Sequence, residues 1–195
     1  MTGVHELDAS GTLLAVCVVH ALRPDAGALG VTAIDKRAVD GPVRLGRYGA
    51  YADVQANRRH HGGLDKALYA YAQEDADFWA EQLGAPLAPG WFGENLRVSG
   101  LDVNASRVGE RWRIGETAIV EVTMPRTPCQ TFARWVRTVD RTAERGWVRR
   151  FSAERRLGPY LRVVRSGSVV AGDRVTVIRV PEGAPGLLDG YADPA

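Results

Sequence analysis

The chain has 195 residues, 45% of them hydrophobic, and a formal net charge of +2 at pH 7. That is enough apolar material for a sizeable core and too little charge for a general nucleic-acid binder. Its 22 glycines and ten prolines are spread along the chain rather than gathered in a low-complexity block, which suits strands and turns better than a helical bundle.

Residues 12–20, containing the apolar run 13–19, read as a first buried strand. The run is too short to span a bilayer, and Glu6 and Asp8 precede it where a signal peptide would carry basic residues. A cytoplasmic location without a membrane anchor is therefore expected, and there Cys17 and Cys129 would stay reduced. Cys17 falls inside the strand and reads as core. Residues 31–34 form a second strand, and the glycine-punctuated stretch 36–49 is strand and loop. A helix is expected from Asp65 through Leu83. Leu68, Tyr71, Phe78, Trp79 and Leu83 recur mostly at three- and four-residue spacing, with Asp65 placed to cap the start and Gly84 the end.

After a breaker-rich turn at 86–90, alternation at 112–114 and 118–122 predicts short strands leading to Pro125. A helical pattern interrupted by Gly146 covers 131–157. Residues 160–164 and 174–180 read as closing strands, with Gly172 and Asp173 in the turn between them. Strands at both ends favour one closed sheet. The expected fold is a β-rich α+β, barrel-like domain with peripheral helices over residues 1–180, followed by a loosely held tail, 181–195.

Three segments could carry chemistry. Cys129 lies in Met124-Pro-Arg-Thr-Pro-Cys-Gln-Thr-Phe132, where two prolines stiffen an extended backbone. Arg126, three residues upstream, favours thiolate over thiol, the form that attacks electrophiles and binds soft metals. A buried, inert cysteine is the alternative. The segment Asp53-Val-Gln-Ala-Asn-Arg-Arg-His-His-Gly-Gly-Leu-Asp-Lys66 has glycines that let a ligand approach the backbone, and it ends on one of only two lysines in the chain. If Lys66 starts a helix, that terminus offers N–H groups to an anion; a turn with solvated charges is the plainer reading. Adjacent histidines on extended chain point to opposite faces, so His60 and His61 do not by themselves chelate one ion. Glu94 and Asn95 form a further polar pair that could fix a ligand or cap a turn. Between Arg134 and Arg165, ten arginines face Asp140, Glu144 and Glu154, which suits an anionic guest or a solvated basic face. No serine-hydrolase elbow, P-loop or dinucleotide fingerprint is present.

In order along the chain stand Lys36-x-x-Val39-x-Gly41-Pro42-Val43, Asp53-x-Gln55, His61-Gly-Gly-x-Asp-Lys66, Pro89-Gly-x-Phe-Gly-Glu-Asn-Leu96 and Pro125-Arg-x-Pro-Cys129. Gly158-x-Tyr160-x-Arg162-Val163 and Ala171-Gly-Asp173 follow. Together they resemble the MOSC domain (molybdenum cofactor sulfurase C-terminal domain) in its stand-alone, YiiM-like branch. The resemblance covers about residues 12–180.

The resemblance implies a barrel-like fold that binds the molybdenum cofactor, molybdopterin, with Cys129 as the protein ligand to the metal. By the same analogy Asp53, Gln55, His61, Gly62, Gly63, Lys66, Asn95 and Arg126 line the cofactor or substrate pocket, and His61 or Lys66 supplies protons. The implied activity is reduction of small N-hydroxylated compounds, base analogues being the family precedent, with an external electron donor and no stable nucleic-acid or membrane partner. A homodimer is left open. The family is also associated with pyridoxal phosphate binding. Two rival readings are a sulfur carrier that holds sulfane sulfur on Cys129, and a binding module whose arginine segment docks a partner protein. The sequence departs from the family in two places. Ala52 stands where a glycine is usual before Asp53, and Asn57 stands where an acidic residue is usual. The chain also ends fifteen residues after Val180, where YiiM-type chains usually carry a three-helix module.

Overall fold

The structure, a computed structural model, describes residues 9–56, 62–138 and 146–192. A long hairpin, β1 (Ser10–Pro24) and β2 (Val31–Ala38), precedes a short one, β3 (Val43–Gly46) and β4 (Gly49–Ala50). Strand β5 (Leu68–Ala72) runs directly into helix α1 (Gln73–Leu83), which crosses over to β6 (Leu96–Ser99). Then come β7 (Arg111–Ile114), β8 (Ala118–Pro125), α2 (Gln130–Val136), α3 (Trp147–Ala153), β9 (Pro159–Arg165), β10 (Gly167–Val169) and β11 (Arg174–Arg179).

Seven strands close on themselves in the order β11-β7-β8-β9-β5-β6-β1, with β1 pairing back onto β11, and β2 attaches to β1 outside that ring. Closure leaves the ring without a free edge. The small sheet β10-β3-β4 stands beside it. Strand β1 is 15 residues long because it serves two partners in turn. Its first half pairs with β11 and β6, whereas from Cys17 to Pro24 it pairs with β2. Register shifts at Val19/Ala21 and Ala21/Arg23 bend the second half, as bulges do. The hairpin tip is thereby carried away from the barrel and towards the cavity described below.

There are two cores. The barrel interior holds Leu13, Leu45, Leu96, Trp112, Ile114, Val120 and Leu161. An aromatic cluster outside it holds Tyr69, Tyr71, Trp79, Phe92, Phe132, Trp147 and Phe151. Strand β5 is the wall between them. Leu68, Ala70 and Ala72 pack into the barrel, and Tyr69 and Tyr71 pack among the aromatics. All five residues are buried, so the segment has no polar face and its period of two is invisible to a search for amphipathic stripes.

This corrects the helix expected from Asp65. The helix starts at Gln73, although Gly84 does cap its end in the left-handed conformation (φ 64°). Asp65 caps nothing; its carboxylate pairs with Arg162 at 2.7 Å. The interrupted helix expected over 131–157 is two helices, with Gly146 at φ 74° preceding α3. The tail is a second correction. Leu187 is 2% exposed and part of the barrel core, and its N–H donates to the Ser106 carbonyl at 2.7 Å. One buried leucine and a backbone pairing hold residues that composition marked as loose.

Candidate functional site

A cavity of about 190 Å³ opens between the β1–β2 hairpin, the segment after β4, the start of β5, the loop before β6 and the end of β8. Cys129, Arg126, Lys66, Asp53, Gln55 and Asn95 all line it. Residues drawn from four separate motifs, up to 76 positions apart, therefore share one space. Gly63 is tied to the same wall by its N–H, which donates to the Gln55 side chain at 2.9 Å. Gly62 is buried beside it. His61 lies outside the described residues.

The polar residues divide into two kinds. Asp53 accepts from the Val19 N–H at 2.9 Å, from Lys36 Nζ at 2.6 Å and from Asn95 Nδ2 at 2.8 Å. Asn95 also donates to the Cys17 carbonyl at 3.1 Å and accepts from the Tyr69 N–H at 3.2 Å. Gln55 donates to the Tyr48 carbonyl at 3.0 Å besides holding Gly63. These side chains cross-tie β1, β2, β5 and β6, and their hydrogen-bonding capacity goes largely into that work. Glu94 is scaffold as well. Fully buried with Arg97, it accepts from the Gly90 and Phe92 N–H groups at 2.7 and 3.0 Å and from Arg97 Nε at 2.8 Å. The loop that presents Gly93 and Asn95 is thus fixed by a buried ion pair.

Arg126 is different. It is 5% exposed, stacks on Phe132 at 4.1 Å and on Tyr69 at 5.5 Å, and its Nη1 is buried without a hydrogen-bond partner among the described residues. Its backbone N–H donates to the Gly158 carbonyl at 3.0 Å. Gly158, at φ 68°, packs against the Ala70 carbonyl where a Cβ would not fit, and so fixes this part of the wall. Burial opposes the Arg126 charge, yet the neighbouring Tyr69, Cys129 and Tyr160 groups hold its pKa above the ordinary value. Tyr160, with Lys66 Nζ 5.6 Å over its ring, also lines the cavity. Burial pushes its hydroxyl pKa up, the Arg126 charge and hydrogen bond pull it down, and Cys129 pushes it up again.

The two cysteines separate as expected. Cys17 is wholly buried, and burial drives its thiol pKa far above the ordinary range. Cys129 is half-buried, immediately before α2, on the cavity wall. Among the described residues no group of three or more His, Cys, Asp and Glu side chains could hold a metal ion.

Several expectations change. Lys66 precedes a strand rather than a helix, so no helix terminus stands beside it. The described arginines of 134–165 form no single anion site. Arg134 pairs with Asp25, Arg156 with Asp75, and Arg162 with Asp65 and Glu121. Sequence reasoning missed the hairpin tip altogether. Asp25, Gly27 and Leu29 line the cavity, and Asp25 accepts from Arg134 Nε and Nη2 at 2.7 Å each and from the Thr131 hydroxyl at 3.0 Å. The Arg134 hydrogen bond is the main reason the Asp25 carboxyl falls to about 2. Its partners are more than a hundred positions away, so no local pattern signals it.

Residues 57–176 match the MOSC domain family. The chain belongs to that family. The uncharacterized protein YflK of Bacillus subtilis is 38% identical over 134 residues, which is 66% of this chain and 60% of YflK. Protein YiiM of Escherichia coli is 41% identical over 50% of this chain and 45% of its own length. A protein named a reductase in Gibberella moniliformis is 30% identical over 84% of this chain and 29% of its own. The match therefore spans less than two thirds of each of these relatives. The crystal structure of YiiM from Geobacillus stearothermophilus superposes with a TM-score of 0.70 at 26% identity, covering 91% of this chain and 80% of that one. YiiM from Escherichia coli gives 0.60 at 27% identity, over 75% and 67%. No helix among the described residues is long and apolar enough to cross a membrane.

Proposed function

We propose that this MOSC protein is a molybdenum-cofactor oxidoreductase that reduces N-hydroxylated small molecules, with Cys129 as the protein ligand to the metal. One observation carries the reading: the half-buried Cys129 thiol shares its cavity with Arg126, a buried guanidinium whose Nη1 has no partner among the described residues. A single soft donor suits a metal that arrives with its own sulfur ligands, and buried positive charge with a spare donor suits an anionic group attached to it. The donor set therefore fits the group. The relative named a reductase supports enzymatic chemistry of this general kind.

When bound, the cofactor would supply the two-electron exchange. The overall change is R–NHOH plus two electrons and two protons giving R–NH₂ and water, with the electrons drawn from an external donor. The chain's own residues do the rest. Cys129 holds the cofactor, and Arg126 and Lys66 attract its negative charge. Asp53, Asn95 and the Glu94–Arg97 pair keep the walls at fixed separation. Lys66 Nζ and the Tyr160 hydroxyl are the protic groups on the cavity wall that can move a proton to the leaving oxygen; His61, expected to share that task, lies outside the described residues. To test this, the Cys129→Ala variant is purified beside wild type, and molybdenum content and reduction of an N-hydroxylated purine are measured. Loss of both is expected, and unchanged values would refute the proposal.

Sulfur transfer is the second reading, favoured by one feature. Cys17 is too buried to resolve a persulfide on Cys129 as a disulfide, so a bound sulfur would persist. Intact mass showing a gain of about 32 Da, one sulfur atom, on protein free of pterin would replace the first reading with this one.

A further inference from the structure

We infer that the tip of the β1–β2 hairpin is a size-selecting roof over Cys129, and that Asp25 is the latch that holds it down. The tip contributes Asp25, Gly27, Ala28, Leu29 and Val31 to the cavity that Cys129 lines. It is attached at its base to β1 and β2, whose pairing ends at Pro24 and Val31. Within the tip, the Asp25 N–H donates to the Gly30 carbonyl at 3.1 Å and the Gly27 N–H to the Asp25 carboxylate at 3.0 Å. The tip is therefore braced internally.

Among the described residues the tip is fastened to α2 through the Asp25 side chain. The Asp25 carboxylate receives both Arg134 nitrogens in a bidentate fork and the Thr131 hydroxyl as well. Thr131 and Arg134 both belong to α2, the helix that begins immediately after Cys129. The latch thus ties the roof to the very helix that positions the thiol. With side-chain exposures of 9% for Asp25 and 27% for Arg134, the pair is shielded enough for its charge-assisted hydrogen bonds to count. Leu29, by contrast, is 53% exposed although it lines the cavity. A large apolar side chain in that position is held at the mouth by the latch below it, where it limits what can reach Cys129.

This deepens the proposed function by identifying what sets access to its site, but its test needs neither molybdenum nor turnover. Cys129 is alkylated with iodoacetamide and, in parallel, with a bulky fluorescein maleimide, and both rates are read at Cys129 by peptide mass. In Asp25→Asn the ratio of bulky to small rates is expected to rise about tenfold, the equilibrium change that loss of one charge-assisted hydrogen bond brings. Exchanging the charges, Asp25→Arg with Arg134→Asp, is expected to bring the ratio back towards wild type. Leu29→Ala, which trims the tip and leaves the latch intact, is expected to raise the ratio as Asp25→Asn does. An unchanged ratio in Asp25→Asn, or an equal rise in both rates, overturns the inference. Should Asp25→Asn fail to fold, the ratio in Arg134→Gln decides in the same manner. Because the readout is thiol access, a protein that keeps the size filter yet reduces no N-hydroxylated compound would refute the proposed function alone.

Discussion

Replacing Asp53 by alanine tests whether this motif residue is scaffold or ligand. Its carboxylate accepts hydrogen bonds from Val19, Lys36 and Asn95, with Lys36 and Asp53 side chains 10% and 6% exposed. Truncation strands a backbone N–H, an amide N–H and an ammonium together. Each stranded neutral donor costs roughly 1–3 kcal/mol, and stripping the partner from a buried ion pair roughly 3–5 kcal/mol. These overlap, since water entering the vacated space serves more than one group, so a total of about 4 kcal/mol is expected. Against a typical stability of about 5–15 kcal/mol that is a large fraction. Urea unfolding followed by tryptophan fluorescence measures it. Adding Lys36→Met to Asp53→Ala removes the stranded charge and is expected to recover about 2 kcal/mol, the difference between an unpaired charge and an apolar side chain. A loss below about 1 kcal/mol in Asp53→Ala, or no recovery in the double variant, would show that the three hydrogen bonds are not what Asp53 is for.

Other outcomes follow from single features. Ala52 sits at φ 68°, so Ala52→Gly should relieve about 1–2 kcal/mol of left-handed strain and return part of it as unfolded-chain entropy. A net gain of about 0.5–1 kcal/mol in urea unfolding is expected, and any loss would contradict it. Arg97→Met leaves Glu94 charged and fully buried with one partner fewer, and should cost about 3–5 kcal/mol by the same assay. Asp25, titrating at about 2 in the folded protein mainly through Arg134, is depressed from an ordinary carboxylate value. Its contribution is complete above the unfolded value, near pH 4, and is lost as pH falls through about 2. Arg134→Gln should therefore lower stability at pH 7 and change it progressively less as the pH is lowered to 2, as unfolding midpoints across that range would report.

The barrel was legible because its strands carry their signals locally. Alternation at 112–114 and 118–122 and the apolar runs near each end mark segments that the structure forms as β7, β8, β1 and β11. Strand β5 was not legible, because Leu68–Ala72 is buried on both faces and joins α1 with no turn between them. Burial on two sides erases the polar half of any period. The tail misled in the opposite direction: its composition is that of a loop, and buried Leu187 together with backbone pairing to Ser106 and Val108 holds it. At the site, ordered motifs brought Asp53, Gln55, Lys66, Asn95, Arg126 and Cys129 to one cavity. The Asp25–Arg134 latch escaped because an ion pair 109 positions apart leaves no trace in spacing.

Residue type also misjudges what each motif residue is free to do. Aspartate, asparagine and glutamate read from sequence as groups that could meet a ligand, yet here Asp53, Asn95 and Glu94 are occupied by backbone N–H groups and by one another's neighbours. Arginine reads as a solvated charge, yet Arg126 is buried against three aromatic rings, with one nitrogen that has no partner among the described residues. A buried donor without a partner is costly, and Arg126 Nη1, unlike the Trp79 and Trp147 Nε1 atoms of the aromatic cluster, belongs to a residue that lines the cavity. Saturation of hydrogen bonds, rather than membership in a motif, is therefore what marks a residue as a wall of this cavity. By that criterion Asp53, Asn95 and the Glu94–Arg97 pair belong to the fold.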